Sequence, residues 1–246
     1  MIMKKIVSIV LVASLALASL FVLDSCSTSK KSVKSFAAKG PDYERIKKAI
    51  DTKDSEFYYP ELLRRFQEAD TTLTPEQVYH FYYGTATRSS YDPYGSDHLK
   101  EVHEALSGDT ITEENWKKAA QLIEKQLETD PTNLRFHFYK QVVYSKLYGV
   151  GSKEHNDAVK QMHMLVNAVM MSGDGRSLES AIHVNSVPDE YGLLEVFGFS
   201  PQSQSLVEKH GRSYDAMALK ENKFGLKTMY FDVTKCMESL SKKFQF

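Results

Sequence analysis

Residues 153–187, KEHNDAVKQMHMLVNAVMMSGDGRSLESAIHVNSV, contain the point at which the chain changes its period. From Lys153 to Met171, the apolar residues Val159, Met162, Val166, Val169 and Met170 recur at helical spacing, which predicts a long helix with one buried stripe. Ser172-Gly173-Asp174-Gly175 breaks that period, because paired glycines admit a tight turn that a helix does not. Beyond it, residues 181–187, 191–197, 203–208, 214–219 and 226–233 read as strands. In the last two, Met217 and Leu219 alternate so as to share a face with Met229, Phe231 and Val233, and Asn222 with Gly225 supplies the turn. The segment from Thr234 to Phe244 closes as a short helix. Four or five antiparallel strands covered on one face by helices are the expected way to bury this surface.

Upstream of residue 153 the pattern is helical throughout. Residues 42–52 place Ile46, Ala49 and Ile50 on one side, and residues 60–69 do the same with Leu62, Leu63 and Phe66. Thr74-Pro75-Glu76-Gln77 is a helix start with an N-cap threonine, a first-turn proline and a glutamine placed to return the bond. That helix is expected to end at Gly84 in a left-handed cap. Residues 97–106 form a further short helix. Thr112 caps a stronger one, whose buried side carries Trp116, Ala119, Ala120, Ile123 and Leu127, and Asp130-Pro131 ends that helix and caps another that runs to about Tyr148. Leu127, Asp130, Pro131 and Asn133 match the Leu-x-x-Asp-Pro-x-Asn junction of tetratricopeptide helix pairs. No second copy follows at the expected period, so one helical hairpin of this style is predicted rather than a solenoid.

The expected fold class is therefore α+β. N-terminal helical hairpins, one with a tetratricopeptide-like junction, pack on a C-terminal antiparallel β-meander with a closing helix. Residues 41–246 are expected to form a single domain, helical over 41–172 and β-rich over 173–246.

The first 26 residues, MIMKKIVSIVLVASLALASLFVLDSC, have the layout of a bacterial export signal ending at a lipidated cysteine. Lys4 and Lys5 precede an apolar run from Ile6 to Leu23, and Leu23, Ser25 and Cys26 fit a lipoprotein cut site while Asp24 departs from it. Two alternatives stay open. The run is just long enough to remain as an uncleaved anchor, and Ala13, Ala16 and Ala18 also suit an ordinary signal-peptidase cut. On the lipoprotein reading, residues 1–25 are removed, Cys26 carries acyl chains and the polar, lysine-bearing residues 26–40 form a flexible tether. The expected location is then the cell envelope; lipoproteins sent to the cell exterior tend to carry an acidic tract just after the cysteine, and its absence here implies, by that resemblance, an outer-membrane position facing the periplasm.

Composition narrows the function classes. A net charge of −1 argues against nucleic-acid binding, which needs a concentrated basic face. With Cys26 acylated, Cys236 has no partner for a disulfide and reads as a small buried residue. Motif chemistry is sparse. There is no Gly-x-Ser-x-Gly and no His-Glu-x-x-His, and the two Ser-x-x-Lys matches fall in the tether and the terminal helix. His98 and His103 stand five residues apart, the wrong spacing for one helical face, so no metal site is expected. The Gly-Asp-Gly turn lacks both the oxygen ligands of a calcium loop and the lysine of a phosphate loop, which leaves Asp174 to cap local amides. No catalytic residue and no cofactor is expected.

Aromatic residues offer the better candidates. Ten Phe and Tyr residues fall between Phe57 and Tyr94. Tyr79, Tyr82 and Tyr83 share a helical stripe and belong to the core, whereas Tyr91 and Tyr94 lie in a Pro/Gly loop suited to stacking on a sugar or anchoring a partner. Candidate binding residues are Tyr91, Tyr94, Asp174 and Glu190.

Several segments together carry a resemblance: SEFYYPELLRRF, DTTLTPEQVYHFYYG, SYDPYG, SGDGRSLESAIHV with DEYGLL, and YFDV. From about Asp42 onward the chain resembles an uncharacterised envelope-protein family of Bacteroidota, catalogued as domain of unknown function 4919. The resemblance implies a fold and an envelope location, and lends no mechanism.

Three function readings follow. The favoured one is a non-catalytic envelope lipoprotein that docks or scaffolds another envelope protein, with the membrane as its second partner. A carbohydrate- or peptidoglycan-binding module would place Tyr91 and Tyr94 beside a groove with nearby carboxylates. A hydrolase would need Asp174, His183 and Glu190 to converge in a pocket.

Overall fold

The computed structural model describes residues 40–94 and 98–244; the expected signal segment, Cys26, the tether up to Lys39 and Asp97 lie outside them. Seven helices come first: α1 (Tyr43–Asp51), α2 (Tyr59–Gln67), α3 (Pro75–Thr85), α4 (Leu99–Ala105), α5 (Glu113–Thr129), α6 (Leu134–Leu147) and α7 (Lys153–Met170). Strand β1 (Ile182–His183), helix α8 (Val187–Phe197), strands β2 (Pro201–Lys209), β3 (Arg212–Leu219) and β4 (Thr228–Asp232), and helix α9 (Thr234–Phe244) follow. The architecture is α+β, with N-terminal helices, C-terminal strands and a closing helix. Among the described residues no helix is long and apolar enough to cross a membrane.

Local chemistry explains most of the boundaries. Thr74 accepts the Gln77 N–H at 3.2 Å while Gln77 Oε1 accepts the Thr74 N–H at 3.0 Å, so the capping box at the start of α3 is reciprocal. Thr112 starts α5 with the same arrangement, using Asn115. At the α5–α6 junction Asn133, rather than Asp130, is the N-cap, and Asp130 Oδ2 accepts its side-chain amide at 2.9 Å. Gly84 departs from expectation. It stays helical inside α3, where a Cβ would stand 2.9 Å from Ile50 Cδ1, so its missing side chain lets α1 lie close against α3.

Helix α6 sits at the centre and is buried on two sides. Leu134, Phe138 and Val142 join a core built from α1–α3, α7, α8 and the sheet, while Phe136, Tyr139 and Val143 join a second core with α4 and α5. Tyr79, Tyr82 and Tyr83 are buried as their stripe predicts, and the rings of Tyr82 and Tyr83 meet edge to face at 4.8 Å.

The sheet has the order β1-β4-β3-β2. Strands β2, β3 and β4 form the expected antiparallel meander, with Met217 opposite Met229. Two of the predicted strands are different in kind. Residues 191–197 lie in α8, and only Ile182–His183 of residues 181–187 is a strand, paired in parallel to β4. The apolar run in residues 191–197 is short enough to suit either element, and the flanks decide it. Pro188 stands in the first turn with Asp189 and Glu190, and Gly198 takes the left-handed cap with φ of 72°. Helix α8 then carries the chain from β1 at one edge of the sheet to β2 at the other, and the β2–β3–β4 meander returns it so that β4 runs parallel to β1. Gly192 of α8 passes so close to α6 that a Cβ would lie 2.6 Å from the Arg135 nitrogen.

The Gly-Asp-Gly turn joins helix to sheet. Gly173 leaves no room for a Cβ, which would stand 2.3 Å from the Ser180 carbonyl oxygen, and Gly175 has φ of 70°. The Gly175 carbonyl accepts the Tyr230 N–H at 2.8 Å, which docks the turn on β4.

Candidate functional site

A cleft of about 150 Å³ opens where three segments remote in sequence meet. Thr85 at the end of α3 and the loop Ser90-Tyr91-Asp92-Pro93 form one wall. Gln126, Thr129, Asp130 and Asn133 of the α5–α6 junction form the second, and Asn185, Ser186 and Pro188 at the entry to α8 form the third. The lining is mainly amides, hydroxyls and two carboxyls, with Tyr91 and the two prolines as the apolar part. A space of this size takes one six-membered ring.

The walls are held from behind by a buried hydrogen-bond network. The Tyr82 hydroxyl donates to Asp189 Oδ2 at 2.8 Å and accepts the Asn185 N–H at 3.0 Å. The Asn185 side-chain amide donates to the Tyr82 carbonyl at 2.6 Å. Asp189 Oδ1 accepts the Leu134 N–H at 2.8 Å, so the same carboxyl supplies a missing acceptor at the start of α6. Tyr91 completes the frame by donating its hydroxyl to the Asn185 carbonyl at 2.7 Å. Tyr91 thus lines the cleft with its polar tip already engaged.

Two polar atoms of the lining residues are left over. Asn185 Oδ1 is buried without a hydrogen-bond partner among the described residues, and Ser186 Oγ makes no hydrogen bond of good geometry although it lies near enough to Asp189 to lower its pKa. Ser186 is the N-cap of α8 by position, yet its side chain makes no capping bond. Buried polar groups are ordinarily paired, and an unpaired one costs free energy.

The electrostatics are those of carboxyls kept from water. Burial, and then the charge of Asp130, pushes Asp189 up to about 7, against the pull of the Leu134 N–H and of the Tyr82 and Ser186 hydroxyls. Asp130 is raised by burial as well, eased by its bond to Asn133. Next to Asp189 in α8, Glu190 is fully buried and pushed up to about 10, first by burial and then by the charge of Asp215. As carboxylates neither of that pair has a donor for the other, and both Glu190 oxygens are unpaired; a shared proton turns the contact into a hydrogen bond.

Of the residues singled out by sequence, Tyr91 alone lines the cleft. Tyr94 is 40% exposed and its hydroxyl meets Met237 Sδ at 3.3 Å. Asp174 accepts the Arg176 N–H at 3.0 Å and the Ser180 hydroxyl at 2.6 Å within its own turn. His183 packs beside Arg212 and Asp232, with burial lowering it to about 4, so it is neutral at ordinary pH. Asp174, His183 and Glu190 thus keep separate sets of partners, with no hydrogen bond joining any two of them. Cys236 donates to the Val184 carbonyl and burial pushes its thiol up to about 12, far from a nucleophile. His103 meets the Tyr139 hydroxyl at 2.8 Å and His98 faces Glu101. Among the described residues no cluster of three His, Cys, Asp or Glu side chains suits a metal ion.

Sequence reasoning did not find Asn185 and Ser186. The signal was there as Ser186-Val187-Pro188 followed by Asp189 and Glu190, a helix start hidden by the strand reading of residues 181–187.

A family profile described as a domain of unknown function, DUF4919, matches residues 44–242. The chain belongs to this family. The match takes in every wall of the cleft and all of the sheet of this DUF4919 chain. No curated protein and no solved structure matches it.

Proposed function

We propose that this DUF4919 protein is a non-catalytic binding module, held at the periplasmic side of the outer membrane by a lipid on Cys26, and that its cleft takes one ring of a hydroxyl-rich envelope carbohydrate. The observation that carries the reading is that two residues lining the cleft, Asn185 and Ser186, each hold a buried polar atom, Oδ1 and Oγ, without a hydrogen bond of good geometry. A sugar hydroxyl both donates and accepts, so a vicinal pair that reaches in from the cleft satisfies both atoms, while Asp130 offers a further acceptor. The Tyr91 ring supplies the flat apolar surface on which a sugar face packs. A binding role fits these groups better than a hydrolytic one, since acid–base catalysis needs paired groups within reach of one reacting atom.

Calorimetry with a panel of peptidoglycan fragments and neutral oligosaccharides tests the reading. Binding by at least one member, weakened about tenfold by Ser186→Ala, is expected from the loss of one buried hydrogen bond. Failure of the whole panel, or binding indifferent to Ser186→Ala, overturns it.

A docking role rests on a different part of the molecule, the exposed edge of the sheet.

A further inference from the structure

Strand β2 is an outer strand of the sheet, and its burial is unlike that of its neighbour. It runs nine residues, Pro201–Lys209, and most of its side chains are exposed on both faces, whereas β3 is largely buried. Among the described residues its ladder partner is β3 alone, so the backbone groups along its far side are open. Such an edge is a template for another strand unless it is blunted. Here the blunting is confined to the ends. Pro201 and a register shift mark the start, Glu208 and Lys209 the finish, and the stretch Gln202–Val207 between them has no charge and no proline. Within it Leu206 is 51% exposed.

We propose that β2 pairs edge to edge with β2 of a second copy, antiparallel, about a two-fold axis at Leu206. The charge pattern selects this orientation. With Leu206 opposite Leu206, Val207 falls opposite Ser205, Glu208 opposite Gln204 and Lys209 opposite Ser203, so no like charges meet. A parallel pairing in register stacks Glu208 on Glu208 and Lys209 on Lys209, which is destabilising. The two exposed leucines cover each other on the axis, and both sheets continue as one. Because a two-fold contact closes on itself, it uses up the open edge and leaves none for a fibre. The pairing goes beyond the carbohydrate reading and does not depend on it.

Disulfide trapping on the detergent-solubilised full chain tests the register. Directly opposed residues in an antiparallel pair have Cα atoms about 4.5–5.5 Å apart, within the range that a disulfide spans. Leu206→Cys is expected to give a covalent dimer under copper–phenanthroline oxidation. Gln202→Cys is expected to give no more than the wild type, because the two Gln202 positions stand about 27 Å apart in this register. Light scattering should show a dimer for the wild type and a monomer for Leu206→Lys, with circular dichroism unchanged since Leu206 is exposed. A monomeric wild type, equal trapping at both positions, or a Leu206→Lys variant that stays dimeric each overturns the proposal.

Discussion

The Tyr82 hydroxyl and the Asp189 carboxyl, 107 residues apart in sequence, lie 2.8 Å apart in the centre of the molecule, and both residues are almost wholly buried. This contact ties α3 to α8, and the second oxygen of Asp189 ties α8 to the start of α6. Each of the three walls of the cleft leans on one of those elements, so the shape of the cleft depends on this one carboxyl. Tyr82→Phe removes the donor to Asp189 and the acceptor for the Asn185 N–H together. A loss of about 1–3 kcal/mol in unfolding free energy is expected, measured by urea denaturation at neutral pH.

Glu190 predicts how stability changes with pH. Its folded pKa, about 10, lies above the ordinary value of 4.5, so the folded chain binds this proton more tightly than the unfolded chain. The contribution is fully present below the unfolded value and is lost as pH rises through the folded one. Asp189, raised from 3.8 to about 7, acts in the same direction over a lower window. The thermal midpoint should therefore fall as pH rises through neutral into the alkaline range. Glu190→Gln, which has no proton to lose, should flatten that fall and exceed the wild type in alkaline buffer. A wild-type midpoint that climbs with pH over the same window contradicts this account of the two carboxyls.

Gly192 is the tightest point between α8 and α6. A methyl group there meets backbone atoms of Leu134 and Arg135 at 2.6–2.9 Å, and backbone does not give way cheaply. Gly192→Ala is expected to cost about 1–3 kcal/mol by overpacking. It should weaken ligand binding too, because it displaces the α8 entry that carries Ser186. Gly198→Ala, where nothing lies within 4 Å, is the control: it strains the left-handed cap without moving α8 against α6.

Those same residues show what sequence could and could not reveal. The Thr74–Gln77 box, the Thr112 cap and the stripe of Tyr79, Tyr82 and Tyr83 were legible because caps and helical stripes are local chemistry. The pairing of β3 with β4 was legible by alternation, and β2 was legible as a strand. Helix α8 was not read as one, since its apolar run satisfied a strand template, although its flanks, Pro188 with Asp189 and Glu190 and then Gly198, carried the helix signal. The cleft was legible in part. Tyr91 was marked by its Pro/Gly loop, but the bond from its hydroxyl to Asn185 spans 94 residues, and nothing local forecasts such a meeting. Asp130 and Asn133 were visible as a helix junction, while their place on a cleft wall comes from the packing of α8 against α6.

The most direct test of the cleft's role is an NMR titration with the tightest-binding carbohydrate fragment, following the side-chain amide of Asn185 and the backbone amides of Ser186 and Tyr91. The account predicts shifts centred on these residues that need about tenfold more fragment to saturate in Ser186→Ala. Shifts centred elsewhere, or none at saturating fragment, would contradict it.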